Sequence, residues 1–560
     1  MPSELDRKID HMIAAVTGPG GPIQIGQDEH GRAIVTNLPP TLPMFFDIFC
    51  ALHGDADALV AEEERLSFAQ LGAHASRLAP ALAGGFGIAK GDRVAIAMRN
   101  SPSWVLTYMA VVKAGGIATL INGWWTPSEL THAIELTEPA LVIADAPRAE
   151  RIAAAGYAGR IVTLPVDRPL AEALAPLLAA GGEGAALPAV GPDDHATILF
   201  TSGSTGNAKG ALSTHRAVTT GIYNYSVQLA AMRAVLESSG GKVPEQLRTL
   251  VNVPLFHVTG EVPVMLNSFV IKRCMVLMRK WDPGEALRLI EQERITYFVG
   301  VPTMSLELMQ HPDRDKYDLS TLTDIAAGGA PRPVDHVRRL RETFATAQPA
   351  IGYGLTETNA VGCGNVWSNY AEKPDSTGRP SAPFVEMAIL GEEDRPLAAG
   401  ERGEVAIRSA ANIQCYWRDP EATSAAFTAD GFLKTGDIGY LDEDGYLFIV
   451  DRKKDIIIRG GENISCVEVE AAIYAHEAVA EASVFGLPCD RLGEQPAAAV
   501  YLKEGQSVSP DALRDTVAER LAAFKVPAFI WISPEPLPKL GTGKIDKVSL
   551  RAAFRERLPG

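Results

Sequence analysis

The chain has 560 residues, of which 46% are apolar and 21% charged, and a formal net charge of -16. Such a length exceeds what one compact core organises, so at least two domains are expected. The acidic balance excludes a general nucleic-acid binder, which needs a basic face to displace counterions, but a local cluster of amides and cations can still hold a phosphate.

The opening residues up to Thr17 carry acidic side chains and no sustained apolar run, unlike a secretory leader. Residues 93–98 read as a buried strand, after which Ser101-Pro102 supplies an N-cap and a first helical residue. The apolar helix that follows is expected to end near Gly115-Gly116, with further strands at 117–121 and 141–144. The whole apolar stretch 104–121 is broken by Lys113, Gly115 and Gly116 and is too short to span a bilayer. Residues 170–190 are rich in Ala and Gly and read as surface. Residues 197–200 form another strand. Asp282-Pro283-Gly284-Glu285 looks like a capping box opening a helix with Ala286, Leu289 and Ile290 on one face. A strand at 295–299 continues this βαβα rhythm, which predicts parallel sheets covered by helices. After about Arg452 the pattern changes to a small α+β unit, with a helix at 467–475 and a strand at 497–502. The charged run Asp451-Arg452-Lys453-Lys454-Asp455 stands at the junction and by itself reads as a solvated turn. The six cysteines are scattered, with no CxxC spacing, so a zinc site or disulfide framework is not expected and a reducing, cytoplasmic setting is.

Directly after the strand at 197–200 comes Thr201-Ser202-Gly203-Ser204-Thr205-Gly206-Asn207-Ala208-Lys209-Gly210. Glycines allow a tight turn with inward amides, the hydroxyls add donors and Lys209 adds a positive charge, as a polyphosphate requires. The segment does not fit a Walker A loop. A flexible Gly/Ser linker is the competing reading, and the preceding buried strand argues against it.

This wording resembles the phosphate loop of the adenylate-forming superfamily, which includes acyl-CoA synthetases, firefly-type luciferases and peptide-synthetase adenylation domains. The resemblance recurs in the family's order. Gly352-Tyr353-Gly354-Leu355-Thr356-Glu357-Thr358 is similar to its adenylate-binding segment. Lys434-Thr435-Gly436-Asp437 with Asp451-Arg452 is similar to its ribose-binding region. Arg459-Gly460-Gly461-Glu462-Asn463-Ile464 is similar to its thioester-forming loop, and Pro538-Lys539-Leu540-Gly541-Thr542-Gly543-Lys544 to its C-terminal catalytic loop. The resemblance implies an α/β fold: a large N-terminal domain of parallel-rich βαβ sheets with a small barrel-like part, at 1–451, and a small mobile α+β C-terminal domain, at 452–560, hinged near Lys454.

It also implies roles. Adenine would lie between Tyr353 and the turn Gly329-Ala330-Pro331, and the phosphates on Thr201 to Gly206 and Lys209. Thr356 would bind the α-phosphate. Glu357 would hold Mg2+, a hard cation that takes oxygen ligands. Asp437 and Arg452 would bind the ribose. Lys544 would bridge the α-phosphate and the attacking carboxylate, placing a positive charge where negative charge gathers. Gly460 and Gly461 would leave room for the pantetheine arm of coenzyme A.

For the acid, His257 in Pro254-Leu255-Phe256-His257-Val258-Thr259-Gly260 stands where amino-acid-activating relatives carry an aspartate, which argues against an amino acid; it is grouped with the catalytic residues as well as the pocket. Gly354 stands where acetate-activating relatives carry a pocket-closing tryptophan. Val301, Gly328, Gly329, Val361 and Gly362 are small or apolar, so a roomy, uncharged wall is expected. Trp124-Trp125 occupies a stretch where relatives often carry less bulky residues. The expectation is an ATP-dependent acid:CoA ligase using ATP, Mg2+ and coenzyme A. A medium- or long-chain fatty acid is favoured, with an aryl acid, or transfer to a carrier protein, as alternatives. The same reading expects no nucleic acid, no transmembrane segment and at most peripheral membrane contact, and it allows a homodimer.

Overall fold

The structure is a computed structural model that describes all residues except 1, 63, 202–207, 242, 331, 461, 490, 541–543, 556 and 558–560. It is an α/β fold with two large sheets, a small antiparallel sheet and a C-terminal α+β unit.

The first large sheet has seven strands. Five are parallel: His195–Thr201, Ile117–Leu120, Arg93–Ala97, Leu141–Asp145 and Ile161–Leu164. Lys209–Thr214 and Cys415–Tyr416 add an antiparallel edge. The second has nine strands, six of them parallel: Gln348–Gly354, Asp324–Gly328, Tyr297–Gly300, Arg248–Val251, Cys274–Leu277 and Asp57–Ala61. Central parallel strands such as Ile117–Leu120, Leu141–Asp145 and Cys274–Leu277 are buried at every residue, as expected where helices cover both faces. The helix Pro102–Lys113, capped by the Ser101 hydroxyl on Trp104 N–H, is buried along its entire length. Lys113 does not interrupt this packing. It is 7% exposed and its ammonium pairs with Asp47. Asp282 caps Pro283–Gln292 by accepting the Glu285 N–H at 2.8 Å.

The strands Glu386–Leu390, Gly403–Arg408, Leu433–Leu441 and Leu447–Arg452 form the small antiparallel sheet. Beyond it the chain builds a five-stranded sheet in which Val479–Cys489 and Gly493–Leu502 pair over their full length, and Phe529–Ser533 runs parallel to the latter. Its faces are covered separately, one by Cys466–Tyr474 and Pro510–Ala518, the other by Lys547–Arg555, whose Phe554 stacks on Trp531 at 4.5 Å.

The junction corrects the reading of residues 451–455 as a merely solvated turn. Asp451 is 2% exposed, and its carboxylate accepts the N–H groups of Arg452 and Cys466, tying the last strand of the small sheet to the first helix beyond it. Arg452, Lys453 and Lys454 are exposed as expected. Among the described residues no helix is long and apolar enough to cross a membrane.

Candidate active site

In open parallel sheets ligands sit beyond the carboxyl ends of the strands. The two large sheets place most of the singled-out residues there. His195–Thr201 runs into the phosphate-loop segment, and Lys209, opposite Thr201 in the antiparallel ladder, receives the chain on its return. Residues Ser202, Gly203, Ser204, Thr205 and Gly206 lie outside the described residues, as do Pro331, Gly461 and the Gly541-Thr542-Gly543 tip. In the second sheet Arg248–Val251 leads to His257, Asp324–Gly328 to Gly329 and Ala330, and Gln348–Gly354 to the 3-10 turn Thr356–Thr358.

Asp437 and Arg452 face each other across the small sheet, with Arg452 Nε 3.3 Å from Asp437 Oδ1. Tyr353 donates its hydroxyl to Asp437 Oδ2 at 2.7 Å, which fixes the plane of its ring. Burial pushes the Asp437 carboxyl above its usual range; Arg452, the Tyr353 hydroxyl and Lys544 pull it back.

Lys544 arrives from the C-terminal unit on a hairpin closed by Leu540 N–H to Lys544 O at 2.7 Å and Asp546 N–H to Pro538 O at 2.8 Å. Its side chain lies across Gly329, whose φ of +74° places it in the region open to glycine. Burial, then the positive charge of Arg452, push the Lys544 ammonium down to about 8, while Asp437 acts in the opposite sense. A lysine held there is not the free side chain that its glycine loop suggests.

His257 is also close. Its Nδ1 accepts the Thr259 N–H at 3.3 Å, and burial together with the charge of Lys544 pushes it down to about 3, so the imidazole is neutral. Glu357 sits on the Thr356–Thr358 turn, where Tyr416 donates to its Oε1 at 2.8 Å. Burial raises this carboxyl as well. Among the described residues no three His, Cys, Asp or Glu side chains converge on one point. A single half-buried carboxylate suits Mg2+, which prefers one or two carboxylates plus substrate phosphates to an all-protein cage. Tyr416 was not singled out from the sequence, because it is 59 residues from Glu357 and only the fold joins them.

The acid-pocket expectations divide. Gly328 has room: a methyl built there meets nothing nearer than Gly352 O at 3.6 Å. Gly354 does not keep a tunnel open, because a methyl there would lie 2.2 Å from Ala360 O, so this glycine serves the close return of the 356–361 turn. Val301 is packed with Phe298, Met304 and Leu308 in a helix-covered cluster, and Val361 lies wholly buried behind Tyr353. Trp124, about half exposed, packs its ring 5.3 Å from Phe256, beside His257, and Trp125 meets Phe200 edge-on. Gly460, with φ +61°, turns between Ile457–Arg459 and Glu462–Ile464 and packs on Leu492 of its own unit. Lys454 lies in the turn after Arg452, held by Asp455 N–H to Arg452 O at 2.9 Å and Lys453 N–H to Gly436 O at 2.8 Å.

Comparison with known proteins matches the chain as a whole to one family. The model of the AMP-binding enzymes matches residues 46–417, and that of the AMP-binding enzyme C-terminal domain matches 468–544. A feruloyl-CoA synthase of Amycolatopsis sp is 36% identical over 87% of this chain and 94% of its own. A long-chain-fatty-acid–CoA ligase of Bacillus subtilis is 35% identical over 82% of this chain and 85% of its own. The crystal structure of ATP-bound MatB from Rhodopseudomonas palustris superposes with a TM-score of 0.80, at 28% identity, over 92% of this chain and 99% of that one.

Proposed function

Given that the chain belongs to the AMP-binding enzyme family, as a CoA ligase that takes ATP, Mg2+, a carboxylic acid and CoA, we propose that its acid is a medium- or long-chain fatty acid and that the residues gathered around Lys544 carry the first of two half-reactions. The observation that carries the acid assignment is the character of the space beside Lys544. Neutral His257 offers no partner for a substrate amine, and Gly328 leaves room without adding charge.

In the first half-reaction a carboxylate oxygen attacks the α-phosphorus, the bond to the β-phosphate bridging oxygen breaks and pyrophosphate leaves. Lys544 places its ammonium between the two groups that bring negative charge together. Thr356 and Lys209 hold phosphate oxygens. Tyr353, with the Gly329-Ala330 turn, takes the adenine, and Asp437 with Arg452 takes the ribose hydroxyls. Glu357 would hold Mg2+, which when bound would supply charge neutralisation at the phosphoryl oxygens. In the second half-reaction the CoA sulfur attacks the acyl carbonyl and AMP leaves. For that step residues 452–560 rotate about Lys454 and bring Gly460 to the pantetheine arm. The N-terminal 1–451 stays as one body.

An aryl acid is the second reading, favoured by the feruloyl-CoA synthases among the relatives and by the aromatic pair Trp124–Phe256 next to His257. Rates of CoA-thioester formation with straight-chain acids of increasing length and with hydroxycinnamic acids decide between them. Each methylene buried should add about 0.8 kcal/mol, so acids of about eight carbons should outcompete acetate strongly. Preference for acetate overturns the pocket assignment; preference for hydroxycinnamates selects the aryl reading.

A further inference from the structure

Tyr416 belongs to none of the motifs above, yet it touches two residues assigned to the phosphates and the metal. Its hydroxyl donates to Glu357 Oε1 at 2.8 Å, and Lys209 Nζ stands 5.0 Å from the centroid of its ring. The backbone around it is tied to both partners. Tyr416 lies opposite Ala211 on the strand that begins with Lys209, Trp417 N–H donates to Gly210 O at 2.7 Å, and Ile413 N–H donates to Glu357 O at 2.9 Å. Its own N–H donates to Thr423 Oγ1 at 3.0 Å.

Lys209 and Glu357 carry opposite charges around one phenol, and among the described residues no ion pair joins them. A direct pair would satisfy each charge with the other and leave neither for a ligand. The phenol offers each partner something different: its hydroxyl a donor for the carboxylate, its ring face a region of negative potential for the ammonium. From this geometry we infer that Tyr416 is a positioning residue which holds Lys209 and Glu357 apart, so that the ammonium stays aimed at the phosphates of ATP and the carboxylate at their metal ion. The inference rests on the assignment of Glu357 to the metal made above.

Three variants test it: Tyr416→Phe keeps the ring and removes the hydroxyl, Tyr416→Leu removes both, and Glu357→Gln removes the metal carboxylate. The readout is binding of Mn2+ with a non-hydrolysable ATP analogue, followed by electron paramagnetic resonance, beside binding of the analogue without metal. Tyr416→Phe should weaken Mn2+ binding about tenfold, the scale of one charge-assisted hydrogen bond, and leave metal-free binding unchanged. Tyr416→Leu should also weaken metal-free binding, because Lys209 loses its platform. Tyr416→Phe combined with Glu357→Gln should bind Mn2+ no more weakly than Glu357→Gln alone, a non-additivity expected when two groups act through one site and not when a variant merely loosens the fold. Unchanged Mn2+ binding in Tyr416→Phe, or additive losses, overturns the inference if Glu357→Gln has lost its metal. Unchanged binding in Glu357→Gln instead overturns the metal assignment itself.

Discussion

Lys544 lies directly over Gly329: a methyl group built on that glycine would stand 3.1 Å from Lys544 Cε and 3.4 Å from Nζ. A residue near the end of the C-terminal unit thereby reaches a turn of the second large sheet, among Asp437, Arg452 and His257. Under the adenylation step proposed above, this placement makes the role of Lys544 testable. Lys544→Ala should lower acyl-adenylate formation about a hundredfold or more, by analogy with removal of one oxyanion donor. The same variant, given presynthesised acyl-adenylate and CoA, should form thioester at close to the unmodified rate. Equal losses by both routes would mean that Lys544 is structural or serves both steps.

The displaced ionisation of Lys544 gives a pH dependence. Burial favours its neutral form and brings the ammonium down to about 8, so the charged form is complete below that pH and is lost as pH rises through it. In kcat/KM for adenylation, which reports ionisations of the free enzyme, activity should fall on the alkaline side near pH 8. Lys544→Arg should be slower at neutral pH but should lack this alkaline limb, because a guanidinium stays charged. A limb that persists in the arginine variant belongs to another group.

Two of the glycines expected to line the acid pocket, Gly354 and Gly328, should behave differently. Gly354→Ala places a methyl 2.2 Å from the Ala360 carbonyl oxygen, so the backbone must move. It should destabilise the protein by about 1–3 kcal/mol in chemical denaturation without changing the order of preferred acids. At Gly328 a methyl meets only Gly352 O, at an ordinary contact distance of 3.6 Å, so Gly328→Ala should leave stability nearly intact while shifting preference toward shorter acids. If Gly328→Ala keeps the original preference, Gly328 does not border the acid.

Lys454 is the proposed hinge. The bonds that hold its turn come from the N–H groups of Lys453, Asp455 and Ile456, so proline at 454 removes none of them. Fixing φ should hinder rotation. Lys454→Pro should therefore keep acid-dependent ATP–pyrophosphate exchange largely intact and slow thioester formation from isolated acyl-adenylate. Parallel loss of both would indicate misfolding or a different hinge.

The sequence by itself carried the architecture and the identity of most candidate residues, because both rest on local chemistry. Strand and helix periodicity, Ser101-Pro102 as a helix start and Asp282 as a cap act within a few residues, and the phosphate loop, Tyr353-Gly354 and Lys544 stand within short recognisable segments. What only the tertiary structure decided is what each side chain meets. Gly354 and Gly328 look alike in sequence; a methyl on the first would lie 2.2 Å from a carbonyl oxygen, and on the second an ordinary 3.6 Å from one. Lys113 and Asp451 read as a break and a solvated charge until the fold brings Asp47 to the first and the helix N–H of Cys466 to the second. Tyr416 has no local mark at all: its role arises because an antiparallel pairing sets it beside Lys209 while a turn 59 residues earlier presents Glu357 to its hydroxyl. Burial, charge coupling and close approach are properties of pairs, and the pairs are made by the fold.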